Sequence, residues 1–497
     1  MFDKQNLFIS IHALSPNEKV VFKKYISSNE NTYAKNLIKL FDVINQIGNY
    51  TNAELNKQLH KHKLHLEAIF LFKKLENNFE KCFQIHQIEN TIKGKLSSIL
   101  ANAQFLFDHG LNDACLDKIK QARKLIFEYE LFDYYEQLYW LEAPLIPKNK
   151  NFQKAHQLLN HEYKSIKSQN DIIKQYFDLS NEIYLFYMNH HFGSPQEQDF
   201  NYFVKHDLLK SNYELVPLKA QYLFHYAKTF LFLFEQDWNK AYLETEHQLK
   251  LFLKNKKFID ANEFDYINCL GNMLLRMLNP KRYERFEEIK LLLEIALKKY
   301  KNNDLCEAKR NHIHLAEWHL SLEAYQFDRA LKVMEEMNAQ MENTYKRNNI
   351  SNYISMVYQL AISYFYCDKF DDAQDTFNII LQHPDVEKNN VLYSYSTLML
   401  MFIAIEKNNM SMVDKNIDNI KKMIYRYEHL QNAEKKYIQL IKIYALELDK
   451  TKRKKALEKI ATEFDANEKI LDYFNILWWI DAKLNGKTIH SNINKPK

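Results

Sequence analysis

The chain has 497 residues, more than one compact core usually organises, so it must divide into domains or extend as repeats. Its 6 glycines and 8 prolines disfavour a β-rich fold, because tight hairpins and bulges depend on glycine. The formal net charge of +5 is too small for a chain of this length to indicate nucleic acid or an anionic membrane as a partner.

The five cysteines predict reduced, mostly buried thiols, because no two lie closer than 33 residues and no CxxC pair occurs. They are Cys82, Cys115, Cys269, Cys306 and Cys367. The first residues lack the basic segment and the cleavage site of a secretory signal. The longest apolar run, Leu398 to Ile405, is far shorter than the roughly 18 residues that span a bilayer. We therefore expect a cytoplasmic protein.

Residues 1–94 are predicted to form an N-terminal helical domain. Ser15-Pro16-Asn17-Glu18 and Thr51-Asn52-Ala53-Glu54 are typical of helix starts, and Gly48 is expected to end a helix of about 33–47. A short helix of about 52–60 then precedes a longer one of about 65–87. The longer helix has apolar residues at these positions: Leu66, Ile69, Phe70, Phe72, Leu75, Phe79 and Phe83.

A short helix followed by a longer one is the outline of a helix-turn-helix module, which suggests DNA binding. The lysines that would contact phosphates are Lys57, Lys61, Lys63, Lys73 and Lys74. The other interpretation is a helical cap that shields the first repeat from solvent. The turn has no glycine and acidic residues interrupt the lysines, so the cap is favoured.

A repeat occupies residues 95–465. A large residue, two further residues and usually an alanine open a series of amphipathic helices. The clear copies begin at Phe152, Trp238, Phe327 and Phe370, the weaker ones at Leu111, Tyr283 and Arg453, and the ones that match by spacing alone at Pro195 and Val413. Their fourth positions follow one another at intervals of 40 to 45 residues. This regularity predicts about nine units of roughly 43 residues.

A second signature precedes the first in four of the units. It pairs a large residue with a small one and returns to the same helix face three residues later, at Tyr226-Ala227, Leu270-Gly271, Leu315-Ala316 and Leu360-Ala361. A small residue at such a point lets a neighbouring helix approach closely. Each unit is therefore predicted to be a helical hairpin closed by small-residue contacts.

The copy built from Leu360-Ala361-x-x-Tyr364 and Phe370-x-x-Ala373-x-x-x-Phe377, with Pro384 after it, resembles a tetratricopeptide repeat (TPR). The period is longer than the 34 residues of that family, and a HEAT-like repeat of about 40–47 residues is the alternative. The resemblance implies an all-α protein: a right-handed α-solenoid whose first helices line a concave, ligand-binding surface, with residues 1–94 as its cap.

The TPR resemblance also implies which residues face the concave surface, two positions before and after the large residue of each second signature. These residues are Phe224, Lys228, Asn268, Asn272, Ile313, Glu317, Tyr358 and Ile362. Amide, charged and aromatic side chains in a row can hold an extended peptide by hydrogen bonds and stacking. The partner-binding hypothesis rests on six of them: Phe224, Lys228, Asn268, Asn272, Glu317 and Tyr358.

No catalytic or cofactor motif is found. Phosphate-binding loops need clustered glycines, and the two closest glycines, Gly94 and Gly110, are 16 residues apart. The histidines of His60-Lys61-His62-Lys63-Leu64-His65 have no carboxylate within the run and are interpreted as surface residues. We therefore expect no enzyme activity, no cofactor and no metal site.

The C-terminal residues are predicted to cap the far end. Residues 466–484 form one further helix with Ile470, Phe474, Leu477, Trp478 and Ile480 near one face, and 485–497 form a flexible tail. Taken together, the sequence favours a non-enzymatic scaffold or adaptor that binds a protein or peptide. The alternative is a DNA-binding regulator with a TPR-like sensor. The oligomeric state and the identity of the partner are left open.

Overall fold

The computed structural model describes the chain over residues 4–14, 16–30, 32–48, 50–146, 151–190, 197–210, 216–298, 304–341, 350–384, 386, 391–409, 411–413, 433–447, 449–464 and 474–493. All regular secondary structure in these residues is helical, and they contain no strand. The predicted all-α class is therefore confirmed.

The α-helices in chain order are α1 (Lys4–Ala13), α2 (Pro16–Asn29), α3 (Ala34–Gln46), α4 (Asn52–Lys61), α5 (Ala68–Asn90), α6 (Ile92–Asp108), α7 (Asn112–Tyr129), α8 (Tyr135–Glu142), α9 (Phe152–His190), α10 (Glu197–Val204), α11 (Asp207–Lys210), α12 (Leu218–Phe234), α13 (Trp238–Lys254), α14 (Lys256–Ala261), α15 (Glu263–Arg276), α16 (Phe286–Leu297), α17 (Asp304–Glu323), α18 (Phe327–Met341), α19 (Ile350–Tyr366), α20 (Phe370–Gln382), α21 (Val391–Glu406), α22 (Ala433–Leu446), α23 (Lys450–Ala461), α24 (Ile476–Leu484) and α25 (Ile489–Ile493). Short 3-10 turns are formed by His65–Glu67, Phe132–Tyr134 and Ala143–Leu145.

The chain divides into two compact units, residues 1–312 and 313–497, and the boundary lies inside α17. Within the first unit, helices α1 to α5 share a hydrophobic core of their own that runs from Leu7 to Cys82. The N-terminal domain predicted for residues 1–94 contains this core. Helix α4 begins where the sequence predicts, since the Thr51 hydroxyl accepts a hydrogen bond from the N–H of Glu54.

The turns between paired helices share one backbone geometry. At the turn from α12 to α13, Gln236 has a φ of 62°, and the N–H of Asp237 donates to the carbonyl of Phe232 at 2.9 Å. The same geometry recurs at five turns: one residue has a positive φ, and the N–H of the next residue bonds to the carbonyl five positions before it. The residues with positive φ are Gly110, Gln236, Tyr325, Asp368 and Asn408. Bonds of this kind satisfy the last carbonyls of a helix and hold a left-handed residue in place. These turns produce short, repeated hairpins almost without glycine.

The repeat motif locates several second helices correctly. Helices α13, α18 and α20 begin at Trp238, Phe327 and Phe370, and their alanines are fully buried. These alanines are Ala241, Ala330 and Ala373. In α7 the small buried residue is Cys115, one position after the predicted Ala114, which is exposed.

Two copies of the motif differ from the prediction. Phe152 opens a single helix of 39 residues, α9, where the hairpin pattern predicts a second helix, a turn and the next first helix. No glycine or proline interrupts residues 152–190, so the helix continues. Helix α16 begins at Phe286, three residues after the predicted Tyr283. Residues 414–432, which follow the Val413 copy, lie outside the described part of the chain.

The C-terminal residues also depart from the prediction. Residues 465–473 lie outside the described part of the chain, and α24 covers Ile476–Leu484. Trp479 is fully buried, whereas Trp478, which was predicted to lie on the buried face, is half-buried. Residues in the predicted flexible tail form α25, in which Ile489 is buried. The apolar Ile489 explains why this polar segment packs instead of fraying.

Candidate functional site

The residues predicted to face a binding surface divide into two groups. Phe224, at 3% exposure, and Tyr358, at 4%, are core residues, as are Ile313 and Ile362. The prediction that these four are available to a ligand is therefore wrong. The ring of Phe224 contacts Tyr176 and the ring of Tyr358 contacts Phe377, so both rings take part in packing between helices. The others are half-buried: Lys228, Asn268, Asn272 and Glu317.

Three of the half-buried residues belong to the first unit, and they lie on α12 and α15. Asn272 accepts a hydrogen bond at Oδ1 from the Lys309 ammonium of α17, at 3.3 Å. Glu317 belongs to the second unit. The candidate site is therefore built from first-unit residues alone and is centred on Asn272.

Two cations lie beside Asn272 and were not predicted. Lys309 is only 8% exposed, and the Nε atom of Arg276 is shielded from solvent without a hydrogen-bond acceptor. We call Asn272, Arg276 and Lys309 the cationic cluster. Among the residues that the structure describes, no carboxylate lies within 4.0 Å of either cation. Buried cations are usually paired, because removing a charge from water is unfavourable.

The pKa values around the cluster reflect burial first and then the neighbouring positive charges. Burial, followed by the charge of Arg276, lowers the pKa of Lys309 to about 8. Burial also lowers the pKa of Arg276, while Tyr187 and Tyr226 act in the opposite direction. For His312, burial and then the charge of Lys309 lower the pKa to about 3, so this imidazole is neutral at pH 7. Its Nδ1–H donates to the carbonyl of Gly271 at 3.0 Å.

Gly271 is the reason α17 can bring Lys309 so close to α15. A Cβ atom built at this position would lie 2.5 Å from Cδ of Lys309 and 3.1 Å from Nδ1 of His312. The small residue of the Leu270-Gly271 pair thus permits a close helix approach, as its sequence pattern predicts. It also presses the Lys309 stem against the backbone and holds its ammonium beside Asn272.

A second polar network surrounds Lys228, between α12 and α13. The Lys228 ammonium lies 3.1 Å from Glu244 Oε1, and His225 Nδ1 lies 2.6 Å from Oε2 of the same carboxylate. Burial raises the pKa of Glu244, but the hydrogen bond from His225 and the charge of Lys228 outweigh it and lower the pKa below its usual value. Lys228 is therefore already neutralised by an ionised partner and contributes little free charge to the site.

Two groups of side chains could hold a metal ion. His225, Glu244 and His247 place one donor atom each within 4.8 Å of one another, and so do Asp328, Cys367 and His490. Glu244-x-x-His247 puts both side chains on one helix face, a spacing found in metal-binding helical bundles that was not among the predicted sites. The histidines at 60 and 65, which were interpreted as surface residues, stack with ring centroids 4.1 Å apart.

The N-terminal lysines proposed for DNA are partly engaged. Lys74 lies 3.0 Å from Glu30, and Lys57 lies 3.9 Å from Glu54. At the start of the longer helix, where a recognition helix would contact bases, Leu66 is 87% exposed and Ile69 is also exposed. Exposed aliphatic residues read base edges poorly, so this geometry favours the cap interpretation over DNA recognition.

Comparisons with known proteins identify no relative: the chain matches no protein-family model, and no significantly similar curated protein or solved structure was found. Within the described residues, none of the helices combines the length and the apolar character needed to cross a lipid bilayer. Function must therefore be argued from the site itself.

The cationic cluster has the donor groups that an anion would require. A guanidinium with an unpartnered N–H group and a neighbouring ammonium offer charge-assisted hydrogen bonds to a carboxylate or a phosphate. The sequence pattern does not indicate this cluster, because charged residues such as Arg276 and Lys309 on a helix usually mark a solvated face.

Proposed function

We propose that the chain is a non-enzymatic scaffold, a TPR-like right-handed solenoid that binds a protein partner through an acidic peptide segment at the cationic cluster. The observation that carries the proposal is the pair of cations on α15 and α17 with no carboxylate partner among the described residues. A peptide carboxylate would supply the missing negative charge.

The cluster suits an Asp or Glu side chain in an extended segment. Arg276 would bind the carboxylate through the N–H groups of its planar guanidinium. The buried Lys309 ammonium would add a second positive charge beside it. The amides of Asn268 and Asn272, four residues apart on α15, lie on one helix face and would bond the peptide backbone. Because this site is screened from solvent, each charged contact is stronger than it would be on an open surface.

The proposal is tested by fluorescence anisotropy of the full-length protein with a library of extended peptides. Each Asp- or Glu-containing peptide is paired with its Asn or Gln counterpart, which has the same shape without the charge. We expect the acidic member to bind more tightly, and Arg276→Gln to weaken it about tenfold or more, as loss of a charge-assisted hydrogen bond implies.

Lys254→Gln is the matched control, because Lys254 is exposed at the end of α13 in the same unit and its change removes the same charge. Equal binding of acidic and amide peptides, or equal losses in the two variants, would refute the proposal. A labelled DNA duplex in the same assay tests the alternative function: regulators that bind DNA lose affinity steeply as salt rises.

A further inference from the structure

Three distant segments of the second unit place different donor atoms at one point. Asp328 is the second residue of α18, Cys367 follows the last residue of α19, and His490 lies in α25. Oδ2 of Asp328 lies 3.2 Å from Nε2 of His490, and the Cys367 thiol lies close to the same carboxylate. One donor atom of each residue falls within 4.8 Å of the other two.

From this convergence we infer that Asp328, Cys367 and His490 form a zinc site that holds the C-terminal helix α25 against the start of α18. Thiolate, imidazole and carboxylate are the three ligand types that zinc uses in proteins. Calcium and magnesium prefer oxygen ligands alone, so the thiol argues against both.

The neighbouring Asp368 provides an independent observation. Its Oδ1 atom is shielded from solvent and has no hydrogen-bond partner, while its other oxygen accepts from the Thr488 hydroxyl. A buried carboxylate oxygen without a donor, on the residue that follows Cys367, is a group that a nearby positive charge would satisfy.

Zinc binding would supply that charge. The Cys367 thiol would lose its proton to solvent as the zinc–sulfur bond forms, so one proton is released for each ion bound. His490 would bind through Nε2 as the neutral imidazole. The Asp328 side chain is 80% exposed, so an ion can reach the site from solvent.

The His225, Glu244 and His247 group in the first unit is a weaker candidate. Its carboxylate is already bonded to His225 and lies 3.1 Å from the Lys228 ammonium, which occupies the place of a positive ion. Among the described residues Asp328 forms no ion pair with a lysine, and Lys483, whose charge acts on the neighbouring Asp368, is paired with Glu406.

The test uses Co²⁺ as a spectroscopic stand-in for zinc, added to full-length protein that carries no histidine tag and has been stripped with a chelator. We expect one equivalent to bind with a sulfur-to-cobalt charge-transfer band that Zn²⁺ abolishes by displacement. Cys367→Ser should remove the band. Cys82→Ser, a matched change at a buried thiol in the other unit, should leave it intact.

Asp328→Asn and His490→Ala guard against misfolding, because the Asp328 side chain is 80% exposed and the His490 side chain is partly exposed, so both changes should leave the circular dichroism spectrum unchanged. We expect each to weaken cobalt binding by more than about 100-fold, beyond the loss typical for a group that only supports a ligand. A protein without the band overturns the inference, and so does a band that survives Cys367→Ser. If cobalt binds without producing the band, and this binding is lost in His247→Gln, the ion lies in the first unit and the inference is overturned as well.

Discussion

Helix α15 in the first unit and helix α19 in the second carry the same signature of a large residue followed by a small one, yet their surroundings differ. Beside Gly271 on α15, the neighbouring helix places a lysine and a histidine. Helix α19 contains no charged residue. Two of its side chains bond to neighbouring helices: the Ser363 hydroxyl accepts from the Trp318 indole at 2.8 Å, and the Tyr364 hydroxyl donates to the Glu335 carboxylate at 3.3 Å. The signature therefore specifies close packing of helices and does not specify what the neighbouring side chains do.

Residues at equivalent positions of the two signatures also differ in burial. Asn268 and Tyr358 both lie two residues before the large residue of their signatures, but Asn268 is half-buried and Tyr358 is in the core. One position thus belongs to a surface in the first unit and to the hydrophobic interior in the second. A binding site transferred from one unit to the other by register alone would be wrong.

The largest expected effect comes from truncating these two residues. Tyr358→Ala should cost about 3–5 kcal/mol of unfolding free energy, because it removes a large ring packed against Phe377. Asn268→Ala should stay within about 0.5 kcal/mol, as is usual for residues outside the core. Chemical denaturation followed by circular dichroism measures both. Similar losses would show that the two positions are equivalent after all.

How much of the fold and of the candidate site could be predicted from the sequence depends on the kind of feature. The helices α13, α18 and α20 were located correctly, because an aromatic residue and a buried alanine recur at a fixed spacing. The left-handed turn residues were not foreseen, since Gln236, Tyr325 and Asp368 stand where glycine is expected and only backbone hydrogen bonds keep them there. Helix patterns are local, whereas these turns depend on how two helices meet.

The functional residues were harder still. Lys309 and Arg276 come together because α17 crosses α15 at Gly271, and Cys367 meets His490 across 123 positions of the chain. Periodicity within one helix carries no information about which residues of other helices it contacts. The Glu244-x-x-His247 spacing, by contrast, was present in the sequence and could have been recognised.

A smaller effect should follow from adding a methyl group to Gly271. In Gly271→Ala the new Cβ would require the Lys309 side chain to move, and overpacking of this kind costs about 1–3 kcal/mol. The better helix propensity of alanine offsets roughly 1 kcal/mol of that cost. We expect a net loss in denaturation and weaker binding of the acidic peptide.

The matched change in the second unit is Ala361→Gly, which removes a fully buried methyl group from the equivalent position of α19. It should lower stability by about 1 kcal/mol through helix propensity alone and leave acidic-peptide binding unchanged. If Gly271→Ala left peptide binding intact, the position of Lys309 would not matter to the site.

The last expected effect is a pH dependence that the Lys309 ammonium of the first unit should contribute. The pKa of Lys309 is about 8 in the folded chain and close to 10.5 when unfolded, so the unfolded chain binds more protons between these values. The contribution of Lys309 to stability, measured as the difference between the wild-type chain and Lys309→Met, should therefore rise as the pH increases from about 8 to 10.5, by at most about 1.4 kcal/mol for each pH unit. Binding of an acidic peptide should change in the opposite direction over the same range, because the uncharged lysine no longer attracts a carboxylate.

Lys309→Met should abolish both trends, and denaturation and anisotropy series at matched pH values would detect them. Parallel trends in the variant would assign the titration to another group and leave Lys309 without the role that separates the two units.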